Sequence, residues 1–378
     1  MKNSKYLISG IGPGPGGVGA LMKNLEPVSR RYGFRVLANW NRPPARQLLR
    51  QHRYFRVAQV VALKMLTRAQ FHFATNSIKD SKIIFLHPQT AGFRTLIKLA
   101  QKNELFLYVM DNSFFCIRSY NFHPSRKTEC LKCIASTANI DAECTPFPVK
   151  MNRDRNLDFL EQLHGIADQI TFLCQNENQE KLIKRHFGSD ASCKVIGMDT
   201  GELSDWSPAE LMQSENTADK SFILFHGSAV EPKGLDYFYR LAEKLPNRRF
   251  IVPSPKTQIG HRAIPQNIEF YDVTWSTGLR ELTRTASLVM NPSMWSAPIE
   301  GALIKSLAYN RNVATVKTQY GYENEIPDDV GLLRLPKNVN EAATKIEENL
   351  DAGDTSKSFL QPRIEWLERM KVLSQFES

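Results

Sequence analysis

Short apolar runs of strand type alternate with helical segments along the whole chain, and the alternation runs through twice. In the first half the runs are Tyr6–Ile11, Phe34–Trp40, Lys82–His87, Leu105–Met110, Gln169–Cys174 and Lys194–Gly197. Between them Ala20–Arg31, Ala45–Phe73, Arg94–Lys102, Asn156–Ala167 and Asn178–Phe187 read as helices. Strands joined through helices pair in parallel, because a parallel pair needs a long crossover and a helix supplies it. The polar stretch GELSDWSPAELMQSENTADK, residues 201–220, then interrupts the pattern and reads as a linker. The pattern restarts with strands Ser221–His226, Phe250–Pro253, Ile268–Tyr271, Leu288–Met290 and Asn312–Val316, and with helices Gly234–Lys244, Thr277–Thr285 and Pro298–Tyr309. A closing helix covers Pro362–Gln375.

The chain has 378 residues, more than one ordinary core accommodates. The predicted class is therefore α/β, with two doubly wound Rossmann-like domains. Residues 1–202 form the first domain, with a cysteine-containing insertion at 112–150, and 203–220 form the linker. Residues 221–355 form the second domain, and 356–378 form a helix expected to pack back on the first. Parallel sheets of this kind bind ligands at the carboxyl ends of their strands, so the two domains are expected to face each other across a cleft.

With 42% hydrophobic and 23% charged residues the composition is that of a globular protein. No apolar run reaches the roughly 18–20 residues that span a bilayer, and MKNSKYLISGIG reads as a first strand rather than a secretory signal. Six cysteines in a chain this long do not make a disulfide scaffold, which points to a reducing cytoplasm. The net charge of +10 favours anionic partners. Nucleic acid is disfavoured, because no aromatic-basic RNA signature and no helix-turn-helix is present.

GIGPGPGGVG, residues 10–19, lies between the first strand and the first helix. Gly14–Gly19 matches the spacing G-x-G-x-x-G. A dinucleotide site also needs an acid at the end of the second strand, to hold the ribose hydroxyls. That strand, FRVLANW, is followed by Asn41, with Asn39 and Trp40 at its end, so a nicotinamide cofactor is excluded. No Lys-Ser/Thr pair follows the loop, which excludes a P-loop. Glycines still let backbone approach a ligand closely, and the following helix N-terminus favours anions, so Gly16 and Gly17 are candidate binding residues.

Residues 226–234, HGSAVEPKG, follow a strand and open a helix. They resemble the "G-R-…-E-K-G" segment of retaining GT-B glycosyltransferases, the group-1 or family-4-like enzymes. Asn291–Ala308, NPSMWSAPIEGALIKSLA, is similar to that family's "P-S-x-x-E-x-F-G-x-x-x-x-E-A-M-A". Val313-Ala-Thr-Val and Gly331-Leu-Leu fall where its next strand and "G-L-L" stand, and the N-terminal glycine loop is also a family feature. Asp111-Asn-Ser-Phe-Phe-Cys116 with Cys130-Leu-Lys-Cys133 is similar to the "H-D-x-W-x-x-C…C-x-x-C" insertion of some members.

The resemblance implies a bacterial-type transferase that moves a sugar from a nucleotide-diphosphate donor to a saccharide or lipid-linked acceptor, with retention, in cell-surface polysaccharide synthesis. It implies donor contacts from Gly16, Gly17, Gly227, Ser228, Lys233, Glu300 and Glu325. A catalytic role is implied for Asp111 and, from a shifted register, for Glu300; His87 is an acceptor-side candidate from its placement at a strand end before Pro88. Lys233 would oppose the charge of the departing diphosphate, so no cofactor is required for the chemistry. The sequence departs from the family at several positions. The family's Arg is absent near Ser228 and Ala229, its histidine falls on Met110, and its two glutamates fall on Ser296 or Ala297 and on Lys305. Glu300, expected in the first turn of a helix starting at Pro298, could serve from a shifted register. Glu323 and Glu325 lie where a further carboxylate is common, and solvated loop acids are the alternative reading. The departures leave a second function open: a catalytically degenerate GT-B domain that binds nucleotide-sugar or glycan, or supports a partner transferase.

Cys116, Cys130, Cys133 and Cys144 are spaced C-x13-C-x2-C-x10-C, which suits either a structural zinc or reduced, partly buried thiols. Cys174 and Cys193 lie in strands and read as core residues. From Arg42 to Arg68 the chain is both basic and apolar: Arg46, Arg50, Arg53, Lys64 and Arg68 share an arc at 100° per residue, broken by Val57 and Val60. Such a helix suits an anionic membrane surface, placing the protein in the cytoplasm on the inner face of the plasma membrane; a solvated basic face is the alternative.

Overall fold

Two six-stranded sheets, each parallel throughout, organise the chain. The computed structural model describes residues 4–14, 16–38, 52–213, 222–258, 263–351 and 357–374. The backbone divides into two units, one of Met1–Ser119 with Lys132–Gly201, the other of Tyr120–Leu131 with Glu202–Ser378.

In the first unit β1 (Lys5–Ser9), α1 (Gly17–Arg31) and β2 (Phe34–Ala38) are followed by α2 (Tyr54–Asn76) and β3 (Lys82–Leu86). Then come the short α3 (Pro88–Ala91), α4 (Phe93–Ala100) and β4 (Glu104–Tyr108). The two-residue strands β5 (Phe122–His123) and β6 (Thr128–Glu129) form an antiparallel hairpin that belongs to the second unit. α5 (Arg153–His164), β7 (Ile170–Cys174), α6 (Glu177–Phe187) and β8 (Cys193–Val195) complete the first unit. Its strand order is β2-β1-β3-β4-β7-β8. The order reverses between β1 and β3, and a doubly wound sheet opens its ligand crevice at such a point, outside the carboxyl ends of the two strands.

The second unit contains α7 (Pro208–Gln213), β9 (Phe222–Phe225), α8 (Leu235–Lys244), β10 (Arg249–Val252) and β11 (Ile268–Phe270). It continues with α9 (Leu279–Thr285), β12 (Leu288–Asn291), α10 (Gly301–Tyr309), β13 (Val313–Val316), β14 (Leu332–Leu335), α11 (Val339–Asp351) and α12 (Lys357–Ser374). The order β11-β10-β9-β12-β13-β14 puts the reversal between β9 and β12. All four residues of β9, of β12 and of β13 are buried, as expected of strands covered by helices on both faces. The core is aromatic where α8 crosses the sheet: Phe238 stands edge-to-face to Phe225 and Phe250, centroids 5.3 and 5.1 Å away.

Three expectations about organisation change. The expected linker is in part a packed element of the second unit: Trp206 is buried and its Nε1 donates to the Ala308 carbonyl at 2.8 Å, and Leu211 of α7 is buried too. Residues 214–220 lie outside the described residues. The closing helix, expected on the first domain, belongs to the second unit, with Trp366 and Leu367 in a cluster that includes Leu303, Leu307 and Val330. Of the expected insertion 112–150, residues 120–131 belong to the second unit. The basic helix is described from Tyr54, so Arg46 and Arg50 fall outside the described residues. α2 leaves Tyr54, Phe55, Leu63, Met65, Leu66 and Phe73 exposed.

Candidate active site

In the second unit β9 ends at Phe225, and the chain turns through His226, Gly227 (φ 154°) and a 3₁₀ turn, Glu231–Lys233, into α8. Gly234 closes that turn at φ 83°, a left-handed conformation that glycine adopts without strain. A Cβ there would overlap the Pro292 carbonyl, so the missing side chain lets the loop after β9 pack backbone-on-backbone against the loop after β12. The Met294 amide donates to the Pro232 carbonyl at 2.9 Å across the same contact.

This approach assembles a charged cluster at the switch point of the second sheet. The Lys233 ammonium donates to the Glu300 carboxylate, and Ser293 Oγ lies 2.8 Å from each Glu300 oxygen. The ammonium also lies over the rings of Trp295 (4.9 Å) and Tyr120 (5.7 Å). Lys233 keeps 20% and Glu300 10% of its side-chain surface, so the pair is largely desolvated yet reachable. Glu300 is the N-cap residue of α10, which starts at Gly301; Pro298 and Glu300 therefore precede the helix, where the sequence reading put them inside it. The irregular path from Pro292 to Ile299 is what turns the Glu300 carboxylate toward Lys233.

The flanking groups are largely structural. His226 is buried, its Nδ1 2.9 Å from Ser306 Oγ and its ring stacked on Trp275 at 5.7 Å. Burial, helped by the charge of Lys305, lowers its pKa to about 3, so the imidazole is neutral. Lys305 itself lies over the Trp275 ring at 4.7 Å. Ser228 is exposed and Gly227 half-buried on the loop that leads to Lys233. Glu323 is buried rather than solvated: it accepts from the Thr318 amide and hydroxyl, both at 2.7 Å, while burial raises its pKa. Glu325 is half-buried.

In the first unit the glycine loop and His87 meet at that sheet's own switch point, after β1 and β3. The Gly10 amide donates to the Leu86 carbonyl at 3.3 Å, and a Cβ on Gly10 would overlap Thr90 and Ala91 of α3. Gly19 lies similarly against Gly14, whose amide donates to the Gly19 carbonyl at 3.1 Å. Gly16 (φ 90°) caps α1, and nothing lies within 4 Å of a Cβ placed on Gly16 or Gly17. Two of the glycines thus serve packing, and two face open space at a helix N-terminus.

His87 adopts φ 54°, uncommon for a residue with a side chain and a conformation that concentrates at functional sites. Its Nδ1 lies 2.6 Å from Thr90 Oγ1. Burial lowers the His87 pKa and the nearby Asp111 carboxylate offsets part of that, so the ring is neutral at neutral pH. Asp111 accepts from the Ser113 amide at 2.9 Å, and both residues line a small pocket with Tyr108, Phe114 and Leu163.

Among the described residues no three His, Cys, Asp or Glu side chains are grouped to hold a metal ion, and Cys130 belongs to the second unit while Cys116, Cys133 and Cys144 belong to the first. Cys174 is buried as expected, but Cys193 on the edge strand β8 is only half-buried.

Trp295, Ser293, Tyr120, Asn121 and Glu129 are site-lining residues absent from the sequence-based candidates. Ser293 and Trp295 had a signal, since they follow an apolar strand in the segment that ends at Glu300. The other three had none, because their partners in the site lie more than 110 positions away.

No family model matches the sequence, and no curated protein sequence is similar to it. Solved structures match in fold. A sucrose-phosphate synthase from Thermosynechococcus elongatus superimposes with a TM-score of 0.64 at 12% identity, over 98% of this chain and 96% of that one. HepE from Anabaena, solved in complex with UDP-glucose, gives 0.59 at 14% identity, over 98% and 97%. An α,α-trehalose 6-phosphate synthase from Burkholderia multivorans gives 0.55 at 10% identity, over 98% and 96%. The fold is that of the GT-B glycosyltransferases.

Proposed function

We propose that the chain is a glycosyltransferase that moves a sugar from a nucleotide-diphosphate donor to a saccharide or lipid-linked acceptor in cell-surface polysaccharide synthesis. The observation that carries this reading is the Lys233–Glu300–Ser293 cluster at the switch point of the second sheet. Breaking the bond between sugar and diphosphate leaves negative charge on the phosphate oxygens, and a fixed cation in a partly desolvated site stabilises that charge. Lys233 is such a cation, held by Glu300 and faced by two aromatic rings. A diphosphate competes with the single Glu300 carboxylate for the ammonium. The displaced carboxylate is then available to accept a hydrogen bond from a sugar or ribose hydroxyl. Gly16 and Gly17 offer exposed backbone at the α1 N-terminus, suited to phosphate or sugar. His87, with a neutral imidazole, and Asp111 are the acceptor-side groups. Retention of anomeric configuration belongs to the proposal on the resemblance alone.

The test is a transfer and donor-hydrolysis screen against UDP-, GDP-, ADP- and dTDP-sugars, begun with UDP-glucose. Turnover with one donor, abolished in Lys233→Ala, supports the proposal; no turnover with any donor rejects it. A second reading, a GT-B domain that binds a nucleotide-sugar without turning it over, is favoured by Ser296, Ala297 and Lys305 standing where the resemblance implies carboxylates. Thermal stabilisation by a donor without turnover would select it.

A lipid-linked acceptor fits the surface of the segment Arg53–Asn76, on which Phe55, Met65, Leu66 and Phe73 are exposed, as are Arg53, Arg56 and Arg68. Among the described residues no helix is long and apolar enough to cross a membrane. We place the protein on the cytoplasmic face of an anionic bilayer through α2, lying in the interface. Co-sedimentation with phosphatidylglycerol vesicles but not with phosphatidylcholine vesicles is expected, and equal behaviour with both rejects the placement.

A further inference from the structure

Residues Tyr120–Leu131 are a strap from the first half of the sequence built into the second unit. Phe122 is 1% exposed, in a core cluster with Phe225, Met294, Trp295 and Ala297. Asn121 is buried and grips Ser296: its Oδ1 accepts from the Ser296 amide, and its Nδ2 donates to Ser296 Oγ, both at 3.1 Å. Lys127 pairs with Glu231 at 2.7 Å, in the turn that carries Lys233. Glu129, with 4% of its side chain exposed, accepts from Ser296 Oγ and from the Gln319 amide at 2.9 Å, with Lys337 Nζ 3.7 Å away.

Ser296 is in the loop after β12 and Gln319 in the loop after β13, and these two strands are paired neighbours. The carboxylate therefore joins two loops at the ligand edge of the sheet, and the first of them carries Ser293 and Glu300. A neutral amide at position 129 would offer one acceptor oxygen where Ser296 and Gln319 each donate to a different carboxylate oxygen, so its amino group would face one of those donors. The carboxylate meets a donor at each oxygen, with the Lys337 ammonium beside it, so its charge holds both loops at once. The loop itself has no carboxylate at Ser296 or Ala297.

We infer that Glu129 is a positioning residue for the sugar end of the donor: from the strap it supplies the carboxylate that Ser296 and Ala297 lack, and it fixes the loops after β12 and β13 around the sugar. The inference rests on the nucleotide-sugar reading above. It is tested on the full chain by calorimetric titration with UDP, GDP and ADP and with UDP-glucose, GDP-mannose and ADP-glucose, each variant's folding being followed by thermal unfolding. Glu129→Gln is expected to leave affinity for the nucleotide within about twofold and to weaken the matching nucleotide-sugar about tenfold. The exchange Glu129→Ser with Ser296→Glu, which returns the carboxylate to the loop, is expected to restore most of that loss. Asn121→Ala, which loosens Ser296 but leaves the charge, is expected to show a smaller split of the same kind and keeps the test informative if Glu129→Gln folds poorly. Equal weakening of nucleotide and nucleotide-sugar, no weakening of either, or no recovery on exchange overturns the inference while the nucleotide-sugar reading stands. If wild-type protein binds none of the six probes, both fall.

Discussion

Lys233 and Glu300 each hold the other's charge in a site that water reaches only partly. Removing one partner of such a pair leaves an uncompensated, largely buried charge, which is costlier than removing both. Lys233→Met should therefore destabilise the protein by about 1–3 kcal/mol, and adding Glu300→Gln should recover much of it. Urea unfolding of the two single variants and the double variant measures this; additive effects would mean that the pair is not coupled. Affinity for a nucleoside diphosphate should drop in every variant lacking Lys233, whatever its stability. Gly17 makes the opposite case. With open space around it and an ordinary φ, Gly17→Phe should leave the fold intact, within about 0.5 kcal/mol, and should impair transfer by occupying the loop's exposed face. Unimpaired transfer would remove Gly17 from the site.

At the level of elements, α12 is attached by a buried cation. Arg363 is fully buried, and its guanidinium donates to the carbonyls of Val330 (2.6 Å), Asn310 (2.8 Å) and Gly331 (2.9 Å) while lying 4.5 Å from the centre of the Phe359 ring. Burial lowers its pKa to about 9, which leaves it charged at neutral pH. Arg363→Met would leave three buried carbonyls without that donor, and a loss of roughly 3 kcal/mol or more is expected in equilibrium unfolding; a loss under about 1 kcal/mol would mean that water replaces the guanidinium. The same helix shows where sequence reading stops. Its apolar spacing requires that it pack somewhere, but the surface it meets depends on carbonyls at positions 310, 330 and 331. The parallel strands were legible because runs such as FILF are buried on both faces and must be apolar throughout. β14 and α11 were not assigned from the sequence, and the strap could not be, since strands of two residues have no period to read. Lys233 and Glu300 were legible as candidates from motif position. Their pairing with each other and with Ser293 depends on Gly234 meeting Pro292, a contact between loops 58 positions apart.

Across the whole molecule, each unit buries a strongly perturbed histidine whose charging opposes folding, and in the first unit His87 adds a second one of the same sign. In the first unit His186 is held neutral, its pKa lowered to about 3 by burial and by the neighbouring His164, and its Nδ1 accepts from the Ala135 amide at 3.0 Å. In the second, His226 is lowered to a similar value. Both native pKa values lie below the ordinary value near 6.5, so the unfolded chain binds more protons under acid conditions. The contribution of each histidine is thus complete above about pH 6.5 and is lost progressively as pH falls toward about 3. The slope is about 1.4 kcal/mol per pH unit for each proton taken up. Wild-type unfolding midpoints in urea should fall between pH 7 and pH 5. His186→Asn and His226→Asn should each start lower at pH 7, because packing is lost, yet fall less steeply with pH. Since the two histidines are in separate units, the double variant should flatten the slope by the sum of the single effects. Variants whose slopes match wild type would show that other groups carry the acid response, and that His186 and His226 are charged in the folded protein.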